Sequence, residues 1–476
     1  MDMINITTKI HDNYSIEFKV GFVTRRKLKK NDFKLGMWFF VPDSLDITPN
    51  TYTKNDFYRD LKSNIRLITP RFLLRDIVGE HAIPLTNLTK AANAMASDNT
   101  RSNTSEFAYQ TKMFAAIVKS ALREDSTYIL KQKKKEDLID DYVSNLRNII
   151  IAYRDLERII STSTLNSEGR SVYDMSGDFI CNISNYHTLK VLDKISKDNG
   201  LEKQKGELVK LVKEINQLRH ERGYSSTNDV YKHGMLKKFV ERELYLRVPK
   251  KRDGMLIEQV YYSLAAGLAM LFATVVAWAF QSYFGNLTWP LFIALIISYM
   301  MKDRIKELMR YFFAHKMQNK YFDNKAKIGL NHKEIGFLKE AVDYIPRTKV
   351  PEEIMRIRSK VALFPNDNAY IGEKVLLYRK FVHIDRDKMM RDATYNYSGV
   401  NDIIRFQVNS FLLKMDNPKV PVLYLDDNDT VKQVMYPKEY YINIILNYEF
   451  EGCQDYKLFR VALDRDGIRG IEEKEF

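Results

Sequence analysis

The sequence predicts an α+β protein with two transmembrane helices. Three observations support this fold class: a long run without charges, helical apolar periodicity before it, and apolar alternation near both ends of the chain. The predicted order is a small β-sheet over residues 1–50, a mostly α-helical cytoplasmic domain over 51–250, a transmembrane helical hairpin over 256–301, an amphipathic stalk helix over 302–324, and a C-terminal α+β cytoplasmic domain with an antiparallel sheet over 325–476.

Length and composition are those of a folded, largely water-soluble chain. With 476 residues the chain is longer than one ordinary domain, which favours two soluble domains and an anchor. Apolar residues make up 45% and charged residues 29%, both globular values. The mean hydropathy of -0.37 shows that any apolar excess must be local.

Cysteine usage and the N-terminus indicate a chain that stays in a reducing compartment. Cys181 and Cys453 lie far apart and form neither a CxxC pair nor a zinc-ligand spacing. We expect both to be ordinary buried thiols. The first residues lack the basic and apolar regions of a cleavable signal peptide.

The N-terminal half changes from strand to helix periodicity. Residues 14–23 alternate as a half-buried strand, and residues 35–41 form a second strand that ends before a proline. From about residue 54 the apolar spacing becomes helical, with a loop over residues 98–105. The predicted helices cover residues 54–67, 70–79, 84–97, 105–124, 136–163, 172–197, 201–222 and 227–246.

The C-terminal part is predicted to contain three helices and several hairpins. The helices are expected over residues 334–344, from about 350, and over 400–415. An Asp-Gly turn at Asp466 and Gly467 predicts a tight hairpin. The expected strands are residues 374–384, 420–425, 431–435, 440–450, 456–463 and 468–471.

The strongest signal in the sequence is a membrane hairpin. Residues 259–301 contain no Asp, Glu, Lys or Arg, a run of about 43 residues where one span needs about 20. The run divides into spans over 260–280 and 287–301, joined by a polar turn over 281–286. The second span is short, so Lys302 and Arg304 are expected to extend their charged ends to the headgroups.

Basic residues on both sides of the hairpin predict its orientation. They flank both spans, while the turn carries none, which places both flanks and both termini in the cytoplasm. The expected location is the cytoplasmic (inner) membrane, as a multi-pass protein. The predicted membrane-surface residues are Lys250, Lys251, Arg252, Lys302, Arg304, Lys306 and Arg310.

The spans are predicted to pack through small residues. These recur every four positions, at Ala265, Ala269, Ala273 and Ala277 in the first span and at Ala294 and Ser298 in the second. Neither span contains an ionisable residue, which argues against a transporter or pump. The stalk helix has two interpretations: packing on the soluble domains, or contact with anionic lipid.

Candidate chemistry is sparse. The sequence has no nucleotide-binding, hydrolase, zinc-protease or EF-hand motif and predicts no cofactor. Asp426, Asp427 and Asp429 form an acidic cluster that could hold a divalent cation, but it lacks the Gly and the distal Glu of a calcium loop, so a simple β-turn is the favoured interpretation. A second, weaker cluster follows a predicted strand and contains His383, Asp385 and Asp387.

One short pattern has an enzymatic implication. Arg75 and His81 fit an Arg-x(4–6)-His spacing within the predicted helical domain. The pattern resembles the core of the HEPN ribonucleases, helical domains whose Arg and His act on RNA. The resemblance implies a catalytic role for these two residues, but Arg310 and His315 match the same spacing beside the membrane, and the resemblance covers only these positions.

Charge and motifs together favour a binding protein. The net charge of +14 is partly explained by the hairpin flanks, so nucleic acid is a possible partner that the charge does not require. The basic run at residues 131–135 has no interleaved aromatic residues and is interpreted as a solvated turn. The leading hypothesis is a membrane-tethered scaffold, sensor or regulatory protein that binds the lipid bilayer and a protein partner or its own copies. The alternatives are a membrane-anchored HEPN-like ribonuclease effector and an oligomeric pore-forming effector.

Overall fold

The computed structural model contains two compact units. It describes residues 4–475 except 26–27, 80, 162–166, 199, 222–228, 286–287, 319–321, 331–332, 361–371, 392, 417, 428–429 and 451. The sheet unit comprises Met1–Ile65, Arg247–Asp392 and Asp402–Phe476, and the helical unit comprises Arg66–Leu246 and Ala393–Asn401.

The described elements are mixed α and β. The strands are β1 Ile4–Asp12, β2 Ser15–Val23, β3 Lys30–Pro42, β4 Leu61–Leu67, β5 Lys250–Arg252, β6 Asn324–Leu330, β7 Lys333–Ile345, β8 Glu373–Asp385, β9 Gly399–Gln407, β10 Lys419–Leu425, β11 Val431–Pro437, β12 Tyr440–Phe450, β13 Cys453–Asp464 and β14 Gly467–Lys474. The helices are α1 Lys54–Asp60, α2 Ile83–Ser97, α3 Arg101–Lys131, α4 Glu136–Ser161, α5 Ser167–Ile195, α6 Glu202–Glu221, α7 Asp229–Glu241, α8 Met255–Phe284, α9 Trp289–Gln318, α10 Glu352–Ser359, α11 Arg386–Arg391 and α12 Asn409–Leu412.

The sheet unit is built on an eight-stranded antiparallel sheet. Its strand order is β14-β13-β12-β3-β8-β7-β6-β5. The N-terminal strand β3 lies near the middle, where it pairs with β12 on one side and β8 on the other. Strands from both ends of the chain therefore share one sheet.

Two different layers cover the faces of this sheet. On one face lies a four-stranded sheet of order β1-β2-β9-β4, joined to the large sheet by aromatic packing. Phe39 of β3 packs on Phe406 of β9 with ring centroids 4.9 Å apart, and Phe22 of β2 lies 4.6 Å from Phe33 of β3. On the other face, Ile354 of α10 belongs to a core cluster that includes Trp38 and Phe40. Because adjacent strand residues point to opposite faces, β3 supplies both cores.

A buried ion pair joins the two sheets. Lys380 of β8 and Asp402 of β9 are both fully shielded from solvent and bind each other directly. Ser63 of β4 donates to Asp402 over 2.9 Å and accepts from the Lys380 ammonium. Removing either Lys380 or Asp402 would leave the other charge buried without a partner. The contacts among Ser63, Lys380 and Asp402 therefore fix the alignment of the two sheets.

The helical unit is a bundle closed by reciprocal tyrosine contacts. Tyr153 of α4 and Tyr173 of α5 stack with centroids 4.8 Å apart, and each hydroxyl donates to the carbonyl oxygen of the other residue. The segment Ala393–Asn401 joins this unit through Tyr397, whose hydroxyl lies 2.8 Å from that of Tyr109. The long helices at 84–97, 136–163 and 201–222 agree with their predicted positions within a few residues.

Several local predictions are wrong. The segments 334–344 and 400–415, predicted as helices, form strands β7 and β9, the latter followed by the short α12. Residues 61–67 form β4 rather than the end of a helix, and the predicted helix 70–79 contains only a 3₁₀ turn at Leu74–Asp76. The apolar residues of β7 repeat at spacings of three and four because the strand is buried on both faces, which mimics a helix.

The spatial grouping of the chain also differs from its order in sequence. The first strands lie in the same unit as the C-terminal strands, because long-range pairing of β3 outweighs chain proximity. The predicted stalk segment continues the second helix of the hairpin, since α9 runs without interruption from Trp289 to Gln318. Cys453 is exposed at the start of β13, contrary to the expectation of a buried thiol.

Gly336 provides a test of the β7 assignment. An added Cβ would lie 2.0 Å from the carbonyl oxygen of His383 on β8, so the backbone would have to shift. We expect Gly336→Ala to lower the free energy of unfolding by about 1–3 kcal/mol in chemical denaturation. A helix at this position would instead be stabilised by about 0.5–1 kcal/mol. The control is Gly470→Ala in β14, where an added Cβ would meet no atom within 4 Å and a small change is expected.

Candidate functional site

The helices α8 and α9 form an antiparallel hairpin whose contact face is made of small residues. Ala265, Ala269, Ala294 and Ser298 are buried between the helices, as the sequence predicts. The Ser298 hydroxyl donates to the carbonyl oxygen of Ala273 over 3.4 Å. Small side chains allow the backbones to approach closely, which is the packing used by helices in membranes.

The outer surface of the hairpin is apolar and uncovered. Within α8, residues 258–284 form one helix long and apolar enough to cross a membrane, with a mean hydropathy of 2.0 and only 11% of the apolar window buried. Trp278 is 72% exposed, and large apolar side chains of α9 such as Ile297 are more than half exposed. A core helix of a water-soluble protein would bury these side chains.

Both ends of the hairpin are fastened to the same edge of the large sheet. Strand β5, which precedes α8, pairs antiparallel with β6, which follows α9. Gly254 starts α8 with a φ of 74°, a left-handed conformation that glycine adopts without strain. The Asp253 amide donates to the carbonyl oxygen of Asp323 over 3.1 Å.

The Asp323 carboxylate accepts hydrogen bonds from three parts of the sheet unit. Its carboxylate accepts from Lys54 Nζ over 2.9 Å, from the Tyr58 hydroxyl over 2.9 Å and from the Val342 amide over 2.8 Å. Lys54 also binds Asp343 over 3.1 Å. The helix α1 is thereby tied to the end of the hairpin.

Glu340 forms a second centre beside Asp323. Its side chain is fully buried and accepts from Lys250 over 2.7 Å, Asn324 over 3.1 Å and the Tyr378 hydroxyl over 3.0 Å. Lys250 comes from β5 and Asn324 from β6, so this carboxylate bridges the two strands at the hairpin base. We define the hairpin clasp as Lys54, Tyr58, Lys250, Asp323, Asn324, Glu340, Asp343 and Tyr378.

The electrostatics of the hairpin clasp favour a structural role. Burial, reinforced by Asp323, raises the pKa of Tyr58 far above its ordinary value. Burial and then Glu340 have the same effect on the pKa of Tyr378. Both phenols therefore stay protonated and donate to the acids. With each acid occupied by several donors, the cluster positions the hairpin rather than transferring protons.

The predicted membrane-surface residues divide into two groups. The Lys250 ammonium pairs with Glu340 in the hairpin clasp. Lys251 and Arg252 are exposed, and Arg252 lies 3.4 Å from Glu258. On α9, the Lys302 ammonium lies 4.0 Å from the Tyr299 ring centroid, and Arg304 pairs with Glu307 over 3.9 Å. Lys306 is half-buried, and Arg310 stacks on Tyr262 of α8.

Arg75 and His81 do not form a buried helical site. Arg75 lies in the exposed 3₁₀ turn, with Nε 3.7 Å from its neighbour Asp76. His81 is exposed in the turn before α2. In the second match, Arg310 stacks on Tyr262, and the side chain of His315 lies outside the described part of the structure.

The acidic candidates are held by neighbouring cations. Asp426 binds Lys432 across the β10–β11 hairpin, while Asp427 lies in the turn and Asp429 lies outside the described residues. His383 binds Asp32 and stacks on Phe337, whereas Asp385 and Asp387 approach Lys388 and Lys29, respectively. Among the described residues, no group of three or more His, Cys, Asp or Glu is placed to hold a metal ion.

Sequence reasoning missed the hairpin clasp and one buried pair in the helical unit. Clasp residues converge from positions almost 300 apart, as with Lys54 and Asp343, and no local motif marks them. In the helical unit, Ser126 Oγ lies 3.0 Å from His187 Nδ1. Burial lowers the pKa of His187 to about 4, helped by nearby cations, so the ring is neutral at pH 7. Because Ser126 is fully shielded, this pair packs α3 against α5 and offers no accessible nucleophile.

Comparisons with protein-family models, curated proteins and solved structures find no match to this chain. The function is therefore inferred from the chain's own geometry. The most informative geometry is an uncovered apolar hairpin whose two ends are fixed side by side.

The hairpin clasp can be tested at Asp323. Replacing it with alanine leaves Lys54, Tyr58 and the Val342 amide without their acceptor. We expect Asp323→Ala to increase amide hydrogen exchange in β5 and β6 at least about tenfold, because lost charged hydrogen bonds weaken local closure.

The matched control is Glu473→Ala, which removes a surface carboxylate paired with Lys457 over 2.5 Å on the opposite side of the sheet order. A surface pair contributes little, so exchange in β5 and β6 should be unchanged. Equal protection in the wild-type chain and Asp323→Ala would contradict the clasp.

Proposed function

We propose that this chain is a membrane-anchored scaffold or regulatory binding protein whose hairpin holds both folded units on one side of the bilayer. The observation that carries the proposal is the pairing of β5 with β6 at the base of an apolar, uncovered helical hairpin. Strands paired in one sheet cannot lie on opposite sides of a membrane.

The hairpin surface supports lipid as its environment. Leu271, Trp278, Phe292 and Met300 each expose more than half of their side chains. In water this apolar area would promote aggregation, whereas a bilayer covers it at no cost. One depression on the hairpin surface is lined almost entirely by apolar side chains, for example Phe272, Ile293 and Met301.

We further propose that both helices cross the membrane. The charge-free residues of α8 are sufficient, but those of α9 extend only from Trp289 to Met301, about 20 Å of helix. The hydrocarbon core is about 30 Å thick, so Lys302 and Arg304 must extend their charged ends towards the near surface. Tyr283 and Trp289, 83% and 78% exposed at the tip, are residues suited to the far interface.

The orientation proposal rests on charge. Lys251 and Arg252 before α8, and Lys302, Arg304 and Lys306 within α9, lie towards the base rather than the tip. Basic flanks remain on the cytoplasmic side, so we propose that both units face the cytoplasm. The exposed residues of α9 below Met301, such as Leu308 and Phe312, favour the lipid-contact interpretation of this segment over packing on the sheet unit.

A binding role is favoured by how the polar clusters are used. The acids of the hairpin clasp and the Ser126–His187 pair are engaged in holding elements together. In this proposal, the surfaces available for binding are those of the helical unit and of the sheet unit on one side of the bilayer. We propose that the chain binds a protein partner or further copies of itself. The experiment below would also detect bound or cleaved RNA.

The experiment is extraction followed by affinity purification of the full chain. We expect the chain to stay in the membrane pellet under alkaline carbonate, since an embedded hairpin is not released by charge screening. In mild detergent, the purified chain should carry a protein partner or its own copies in fixed stoichiometry.

Release by carbonate would contradict the anchor. Cleavage of RNA by the purified chain would contradict the binding role, provided that the cleavage is lost in His81→Ala. Asn99→Ala, on the loop before α3, is the control surface substitution for that assay.

A further inference from the structure

Strands β10 and β11 form an isolated two-stranded arm that projects apolar side chains into solvent. Their register runs from Lys419 opposite Pro437 to Leu425 opposite Val431. Every residue of β10 is exposed, and only Val434 of β11 is partly covered. Leu423, Leu425 and Val431 are each about two-thirds exposed, at 66%, 66% and 68%.

The contacts within the arm are too few to explain why it is folded. A lone two-stranded hairpin is marginal in water, and this one carries apolar residues on both faces. One face presents Val420, Val422 and Tyr424, and the other presents Leu423, Leu425, Val431 and Met435. Exposed apolar surface of this kind marks an interaction site.

The two outer edges of the arm are not equivalent. The Asp426 amide donates to Thr430 and the Lys438 amide donates to Pro418, so even-numbered residues bond within the arm. Odd-numbered residues therefore direct their amides and carbonyls outwards. On β10 the outward positions include Pro421, which has no amide hydrogen, and this interrupts that edge.

The outer edge of β11 is open. Val431, Gln433 and Met435 present three successive outward pairs of amide and carbonyl groups, and the proline of this strand, Pro437, lies only at the base. In the part of the chain that the structure describes, this edge pairs with no other strand. An unprotected strand edge is a template for adding another strand.

We propose that the arm joins two copies of this chain by antiparallel pairing of β11 with β11, giving a four-stranded sheet with a two-fold axis at Gln433. In this register, Gln433 faces Gln433 of the second copy, and Val431 faces Met435. The edge is self-complementary, as an isologous interface requires. The proposal is independent of the membrane hairpin.

Charge along the arm supports a second copy as the occupant. The tip carries Asp427 and Asp426, of which Asp426 pairs with Lys432 within the arm, and the base carries Lys438, which pairs with Asp416. Antiparallel pairing sets Asp427 of one copy beside Lys438 of the other, which adds an attraction at both ends of the interface to these existing ion pairs. The same acidic tip opposes insertion of the arm into lipid, because ionised carboxylates would have to enter the bilayer.

The test compares proline substitutions at two directly opposed positions. Leu423 and Gln433 face each other across the arm, and both direct their amides outwards. Gln433→Pro removes the donor at the centre of the proposed interface, whereas Leu423→Pro changes only the edge already interrupted by Pro421. Proline at outward positions is already present in both strands, so neither change removes a hydrogen bond within the arm.

The measurement is the monomer–dimer equilibrium of the full chain in detergent, by native mass spectrometry over a concentration series. Gln433→Pro should weaken the dimer at least about tenfold, since two symmetry-related hydrogen bonds are lost. Leu423→Pro should leave the dissociation constant within about twofold. A chain that is monomeric throughout, a dimer unaffected by Gln433→Pro, or equal weakening by both variants would overturn the proposal.

Disulfide cross-linking tests the register without introducing proline, which could weaken the dimer indirectly by distorting the arm. In a Cys181→Ser, Cys453→Ser background, Gln433→Cys places two thiols opposite each other on the axis, within the range of a disulfide. Oxidation should give a covalent dimer with Gln433→Cys and not with Leu423→Cys. The reverse result, or none with either, would exclude the proposed register.

Discussion

The architecture of this chain depends on the pairing of β5 with β6. Only three residues of β5 take part, yet they close a loop in the sheet that contains two helices of 30 residues each. So short a ladder has few hydrogen bonds of its own, and the hairpin clasp compensates by placing Glu340 between Lys250 and Asn324. The buried Glu340 carboxylate stabilises the pairing of β5 with β6 only when Lys250 and Asn324 both donate to it.

This constraint links the fold to the proposed role. Because both ends of the hairpin leave one sheet edge, the strands β5 and β6 must lie on the same side of any membrane that the hairpin enters. In the proposed role, the sheet unit is attached to the bilayer by two paired strands rather than by a long linker. A scaffold benefits from such an attachment, since a short connection raises the effective concentration of bound partners and of neighbouring copies.

The sequence predicts the features that local chemistry determines. The charge-free run locates the hairpin, the spacing of Ala265 and Ala269 predicts its contact face, and the Asp-Gly turn predicts the β13–β14 hairpin. It does not predict β7, because Ile335, Leu338 and Ala341 recur at helical spacing in a strand buried on both faces. It also misses the clasp and the inter-sheet pair of Lys380 with Asp402, since these contacts join residues that are distant in sequence. For Arg75 and His81, the sequence shows a spacing but not a conformation: the structure places Arg75 in a 3₁₀ turn and His81 in an exposed turn rather than on one helix.

The most direct test of the anchor is the sidedness of two thiols in sealed, right-side-out membrane vesicles. In a Cys181→Ser background, native Cys453 reports on the sheet unit, and the thiol introduced by Ser282→Cys reports on the hairpin tip, where Ser282 is exposed. With an impermeant maleimide added outside, the tip thiol should react, whereas Cys453 should react only after the vesicles are opened. Protection or reaction of both thiols together in intact vesicles would show that the hairpin does not carry its tip across the membrane.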